Sequence, residues 1–229
     1  MPQDRAAALA AIADQIKTCT RCPLYEGTLN AVPGAGNIHA EIMFIGEGPG
    51  FHEDKQGLPF VGRSGDYLTY LLNLIGLKRE EVFITNVVKH RPPENRDPTP
   101  DEMLACKPYL DDQIALIDPL VIATLGRFSM ARYFPDAKIS QIHGQPKYAD
   151  GRAYYPFYHP AAVLRNPGLR KTMEEDFHRL LEVMENVKKR RESGETPPAP
   201  PAATSTSPGA SEVTNPPESD GPPQQLTLF

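Results

Sequence analysis

Two cysteines separated by two residues, Cys19 and Cys22, form a pair whose thiolates reach one metal centre, although the same gap also suits redox pairs and structural zinc. Cys106 adds a third thiol and His90 an imidazole, so four donors are candidates for one site. Three cysteines are an odd number, which a disulfide framework explains poorly. Three thiolates with one histidine are a familiar structural-zinc set, whereas iron–sulfur clusters usually take four thiolates. On donor chemistry alone zinc stands slightly ahead. The plainer roles are a buried helix residue for Cys106 and a surface or phosphate-contacting residue for His90.

A second candidate site is the loop Gly46-Glu47-Gly48-Pro49-Gly50, with Glu53 shortly after it. Glycines let backbone N–H groups approach a ligand closely, and such a loop at the carboxyl end of a strand is where α/β sheets bind ligands. A dinucleotide site is a poor fit. The spacing is GxGxG with Pro49 inside it, and no helix is expected directly after Gly50 to receive a pyrophosphate.

The elements that must position these residues follow from periodicity. Strands are expected at Ile42–Ile45, Val82–Val88, Leu120–Leu125 and Tyr154–Tyr158. Helices are expected from Asp4 to Lys17, from Tyr67 to Ile75, from Pro100 toward Ile117, from about Arg127 to Phe134 and from about Lys171 to Arg190. Thr99-Pro100-Asp101-Glu102 reads as a cap, a first-turn proline and a third-position acid, which starts the third helix firmly. Strands alternating with helices give an α/β fold, with a central, mostly parallel four-stranded sheet flanked by helices on both faces. Cys106 then lies in a helix and His90 just past a strand, so the four donors converge at one end of the sheet.

The chain has 229 residues, 40% of them hydrophobic, which is enough for one such domain and too little for two large ones. No stretch reaches the roughly 18–20 apolar residues of a membrane helix, and the N-terminus does not read as a secretory signal. A cytoplasmic protein with no membrane partner is the expectation. The formal charge of −5 argues against a nucleic-acid partner until its distribution is considered. From Ser193 to Phe229 there are four acids and no Lys or Arg, so the rest of the chain is nearly neutral, with cations gathered at Lys89–Arg96, Arg165–Lys171 and Lys188–Arg191. Residues 1–192 are therefore read as the domain. Residues 193–224, rich in Pro, Ser and Thr, are read as a disordered linker, because they lack the apolar surface that offsets ordering entropy.

Several stretches together resemble one family. They are TCTRCPL at 18–24, VPGAG at 32–36, IMFIGEGPG at 42–50, Glu53-Asp54, LPFVGRSG at 58–65, VFITNVVKHRPPENRDPTPDE at 82–102 and HPAAVLRNP at 159–167. In this order they resemble the family 4 uracil-DNA glycosylases, the iron–sulfur branch of the uracil glycosylase superfamily, across nearly all of residues 5–185. The resemblance implies a three-layer α/β/α fold and a monofunctional glycosylase that flips uracil out of DNA and hydrolyses its N-glycosidic bond, opening base excision repair. A monomer acting on uracil-containing DNA is the expected assembly. It also implies a [4Fe–4S] cluster on Cys19, Cys22, His90 and Cys106, with structural zinc as the alternative. His90 stands where the family usually has a cysteine, which removes one negative charge from the ligand set and should raise the cluster's potential.

The same resemblance implies roles for the site residues. Phe60 stacks on uracil, the Gly46–Gly48 amides hold its carbonyls, and Asn86 reads the O4 and N3 edge with one acceptor and one donor, a pairing that excludes cytosine. His159 donates to O2 as charge develops there. The water-positioning Asp of other branches is absent, its place taken by Gly48. By analogy with glycosidases, Glu53 is therefore read as the carboxylate beside the sugar or the pyrimidine C5 edge that positions water or stabilises positive charge, and Glu47 as a uracil contact, with the two roles exchangeable. Val163, Leu164 and Arg165 resemble the loop that fills the gap left by the flipped base, while Lys89, Arg91 and Arg96 are placed on the DNA backbone. A related branch traps uracil covalently through a histidine in an inserted basic loop. Arg91-Pro92-Pro93-Glu94-Asn95-Arg96 has no histidine, so turnover is expected, with a trapping or non-catalytic binder as the alternative. Finally, Gln225, Leu226, Leu228 and Phe229 resemble a bacterial sliding-clamp-binding motif on its tether.

Overall fold

The structure is a computed structural model that describes residues 5–194, which fall within one compact unit. The expected linker beyond Gly194 and the clamp motif at 225–229 lie outside the described residues.

Helix α1 (Arg5–Lys17) delivers the chain to Cys19, and a short strand β1 (Ala35–Gly36) precedes the first long strand, β2 (Ile42–Gly46). Helices α2 (Phe51–Gln56) and α3 (Arg63–Leu74) lead to β3 (Phe83–Asn86), and α4 (Pro100–Ile117) leads to β4 (Val121–Leu125). Then come α5 (Arg127–Ala131), α6 (Ile139–Ile142), β5 (Lys147–Ala149), β6 (Arg152–Phe157), α7 (Pro160–Arg165) and α8 (Arg170–Glu192). The sheet order is β1-β3-β2-β4-β6-β5. Its four central strands are parallel and are the four expected from sequence, while β1 and β5 add antiparallel edges. The edges escape a periodicity reading because they are two and three residues long.

Parallel strands buried on both sides read as continuous apolar runs, and alternate residues supply two cores. Ile42 and Phe44 face α3, α7 and α8, packing with Leu68, Val163 and Phe177. Met43 and Ile45 face the opposite layer, packing with Cys106, Leu110 and Ile117 of α4. The start of α4 is as expected: the Thr99 hydroxyl accepts the Glu102 N–H at 3.3 Å, and the Glu102 carboxylate accepts the Thr99 N–H at 2.8 Å. This anchors the helix that carries Cys106.

One expectation is corrected here. A helix does begin directly after Gly50, because the Glu53 carboxylate accepts the Gly50 N–H at 3.1 Å and Gly57, at a φ of 68°, closes the other end. At six residues α2 is too short to show a helical period. The Glu53 side chain already occupies its N-terminus, so a pyrophosphate site is still disfavoured there.

Candidate active site

The loops after β2, β3, β4 and β6 all leave the carboxyl edge of the sheet, where β3 and β4 flank β2 on opposite sides. Open α/β sheets bind ligands at such a reversal of strand order. Here the four loops line one cleft of about 730 Å³, which holds Glu47, Gly48, Glu53, Phe60, Asn86 and His159 among its walls. Gly46 belongs to the same site through its contacts.

At the cleft floor Asn86 pairs in register with Gly46 and is only 1% exposed, and its amide oxygen has no hydrogen-bond partner. A buried polar atom without a partner is costly unless a ligand completes it. Gly46 is required beside it, since a Cβ there would collide with that oxygen and come within 2.6 Å of the Phe60 ring. Phe60 is held in an unusual conformation, with φ at 52°, and Gly65 packs against its carbonyl where no side chain fits. Left-handed backbone at a non-glycine residue is uncommon and concentrates at functional sites. Phe60, Gly46 and Asn86 thus frame a slot with one aromatic wall and one amide edge.

His159 stands beside Phe60 in the cleft, the two ring centroids 5.8 Å apart. It caps α7, with Nδ1 accepting the Ala161 N–H at 3.1 Å. Burial, helped by the Arg165 charge and opposed by Glu53, pushes its pKa down to about 4. The ring is therefore neutral near pH 7, and with Nδ1 occupied as an acceptor its proton sits on Nε2 as a donor.

The two carboxylates differ. Glu53 accepts three backbone N–H bonds, from Gly50 at 3.1 Å, Val61 at 2.9 Å and Gly62 at 3.0 Å, so it is fixed and ties the glycine loop to the Phe60 loop. Glu47 is half-buried. Burial and the nearby Asp97 raise its pKa to about 7 against the pull of Arg127 and Arg165, so near neutrality it is partly a neutral acid.

Cations rim the cleft, but not all those expected. Arg96 and Arg165 are exposed on its wall, and Arg96 also pairs with the buried Glu102 at 2.6 Å. Arg63 and Arg127 join them, and Arg127 pairs with Asp97 across the mouth. Sequence reading missed both, although Arg127 follows the strand-ending Gly126, the position where the sheet rule looks for ligand contacts. Arg91 lies outside the lining, with Nε donating to Asn95 at 2.7 Å and its guanidinium over Phe51. Two expected DNA contacts are corrected. Val163 is 3% exposed and packs in the α8-side core, whereas the neighbouring Leu164 is 37% exposed. Lys89 is buried, not on the surface, because its ammonium finds three acceptors inside.

The thiols converge between α1 and α4. Cys22 hydrogen-bonds Cys106 and feels the charge of Cys19, and the main chain at Lys89, next to His90, hydrogen-bonds the Cys106 sulfur. Burial raises Cys22 and pushes Cys106 up to about 11, so these thiols are protonated unless a positive centre displaces the protons. His90 is buried, which lowers its pKa and leaves the neutral imidazole that ligation requires. A single ion needs all its ligands within about 2.3 Å of one point. Among the described residues no three such side chains are so placed. A polynuclear cluster takes one protein ligand per iron and so spans a wider set than a single ion does.

Residues 33–184 match the uracil DNA glycosylase superfamily. The chain is 50% identical to the type-4 uracil-DNA glycosylase of Saccharolobus solfataricus, over 76% of this chain and 85% of that relative. It is 48% identical to the type-4 enzyme of Sulfurisphaera tokodaii, over 76% and 84%. With the type-4 enzyme of Thermotoga maritima the identity is 45%, over 73% and 90%.

Proposed function

The chain belongs to the uracil DNA glycosylase superfamily, and from that membership and the cleft together we propose that it excises uracil from DNA by hydrolysing the N-glycosidic bond, the first step of base excision repair. One observation carries the reading: the buried, unpartnered amide oxygen of Asn86 beside the Phe60 ring. Uracil entering that slot offers its N3–H to this oxygen and its O4 to the amide N–H, while cytosine presents the reverse pattern. The base must leave the helix to get there, and Leu164, with Arg165 on phosphate, fills the gap.

Bond cleavage places negative charge on the pyrimidine and positive charge on the sugar. His159, neutral and aimed by Ala161, donates Nε2–H to O2 as that charge grows, a contribution of about 3–4 kcal/mol for a preorganised donor. Glu53, held by three amides, supplies fixed negative charge beside the sugar and orients water. Glu47, as the neutral acid, donates to a uracil carbonyl. Arg63, Arg96, Arg127 and Arg165 hold the strand by its phosphates.

Cys19, Cys22, Cys106 and His90 would hold a [4Fe–4S] cluster, which when bound supplies a rigid, charge-bearing crosslink between α1, α4 and the loop after β3. Loss of uracil release in Asn86→Ala and His159→Ala, measured as alkali-labile cleavage of a uracil oligonucleotide, tests the reading. The clamp motif rests on sequence alone. Deleting 225–229 should abolish capture on an immobilised sliding clamp and leave excision from a free oligonucleotide unchanged. Among the described residues no helix is long and apolar enough to cross a membrane, and a DNA substrate is in keeping with a cytoplasmic enzyme.

A further inference from the structure

The cleft and the thiols account for most of the polar groups buried at this end of the sheet, but not for Lys89. Its side chain is among the most completely buried in the protein, at 1% exposure. Its Nζ donates to three uncharged oxygens: Thr85 Oγ1 at 2.7 Å, Gln113 Oε1 at 2.8 Å and the main-chain carbonyl of Asn86 at 2.9 Å. A buried ammonium facing only neutral acceptors is expensive, and an apolar side chain of the same volume is often the more stable choice. Stability alone therefore gives a poor reason for a lysine here.

The acceptors give a better one. An ammonium has three N–H donors, and each finds one oxygen. Thr85 and Asn86 end β3, whereas Gln113 belongs to α4, the helix that carries Cys106. Gln113 Nε2 and Thr85 Oγ1 both donate to the Pro33 carbonyl, at 2.8 and 2.9 Å, and the Val32 N–H donates to the Lys89 carbonyl at 2.7 Å. The lysine is thus the hub of a closed network joining β3, α4 and the 32–33 segment. On the far side of Asn86, the Val87 N–H donates to the Gly46 carbonyl at 3.0 Å, so the residue is gripped from both directions.

We propose that Lys89 is a positioning residue for base recognition, its buried Nζ locking the Asn86 main chain to α4 so that the Asn86 amide keeps its angle in the cleft. The inference rests on the uracil-excision reading above and goes beyond it, because it makes the helix of Cys106 part of base selection. Removing the amino group takes a donor from each of three buried acceptors, leaving Gln113 Oε1 only the long 3.4 Å contact from Thr85 Oγ1, and lets the end of β3 relax. A small rotation of Asn86 is then enough to spoil a two-bond contact.

The test is a double-mutant cycle on the full chain, read by single-turnover release of uracil from an oligonucleotide, with melting temperature and visible absorbance recorded for every variant. Lys89→Met should lower kcat/KM about tenfold or more in the native background and about twofold or less when Asn86 is already Ala. Gln113→Met, which removes the acceptor of Lys89 and the donor to Pro33 while keeping the volume, should lose about threefold with the same dependence on Asn86, and it decides the matter if Lys89→Met does not fold. Equal losses in both backgrounds, or full activity in Lys89→Met, would overturn the inference even if both variants melted early, since that is what a purely structural lysine gives. An inactive native protein would instead overturn the glycosylase reading and the inference with it.

Discussion

The Nδ1 of His159 accepts the main-chain N–H of Ala161 at 3.1 Å, so the cap of α7 and the tautomer of the cleft histidine are set by one bond. The helix cap and the proposed proton donor to uracil are the same residue. Chemistry that needs a neutral Nε2–H donor obtains it from local backbone geometry and burial.

Replacing His159 with Ala should lower the rate of uracil release by about 10²–10³-fold, as loss of one preorganised donor does. The pH dependence follows from its depressed pKa, about 4 against an ordinary 6.5. Activity should show no step near 6.5 attributable to this ring. Between those values the unfolded chain takes up a proton that the folded chain refuses, so the residue's contribution to stability is full above 6.5 and is lost as pH falls toward 4. The native melting temperature should therefore fall more steeply across that window than that of His159→Ala.

Glu47 has the opposite linkage. Its folded pKa is raised from 4.5 to about 7, so the folded state holds a proton that the unfolded state has released. Its contribution to stability is full below 4.5 and is lost as pH rises through 7. Glu47→Gln should melt higher than the native protein at pH 8, with the difference shrinking toward pH 5. The native kcat/KM should decline on the alkaline side with an inflection near 7, and Gln, which keeps the neutral donor, should flatten that limb.

Glu53→Gln tests the fixed carboxylate. An amide places an NH2 group against one of the backbone donors from Gly50, Val61 or Gly62, so both loops should loosen. Uracil release should fall by at least about 10²-fold with a modest loss of melting temperature. Full activity in this variant would remove Glu53 from the mechanism.

What the sequence revealed, and what it concealed, has a physical pattern. The four central strands were legible because Ile42–Ile45 and Val121–Leu125 are buried on both faces and read as unbroken apolar runs. The α4 start was legible because Thr99 and Glu102 cap each other through local bonds. By contrast, the burial of Lys89 is set by Gln113, 24 residues away, and a charged residue reads as surface until that partner is known. Val163 and Leu164 are adjacent and both apolar, and only the packing of α7 against the sheet separates core from wedge. The proposed catalytic set was read largely through family resemblance. Asn86 and His159 have no local signal of their own beyond standing at strand ends.

The histidine in the thiol set gives a prediction independent of activity. The purified native protein should be brown, with broad absorbance near about 400 nm and iron in proportion. His90→Cys should retain iron at a lower reduction potential, because a thiolate adds negative charge, whereas His90→Ala should lose iron more readily to a chelator and melt lower. A colourless protein with one zinc per chain would contradict the cluster assignment.

The most direct measurement of the central claim is release of uracil from otherwise identical oligonucleotides carrying U·G, U·A or single-stranded uracil, with cytosine in place of uracil as the control. The account predicts alkali-labile sites only where uracil stands, no covalent adduct between protein and DNA, and losses of about 10²-fold or more in both Asn86→Ala and His159→Ala. Undiminished release in both variants, or a protein that binds uracil DNA without freeing the base, would contradict it.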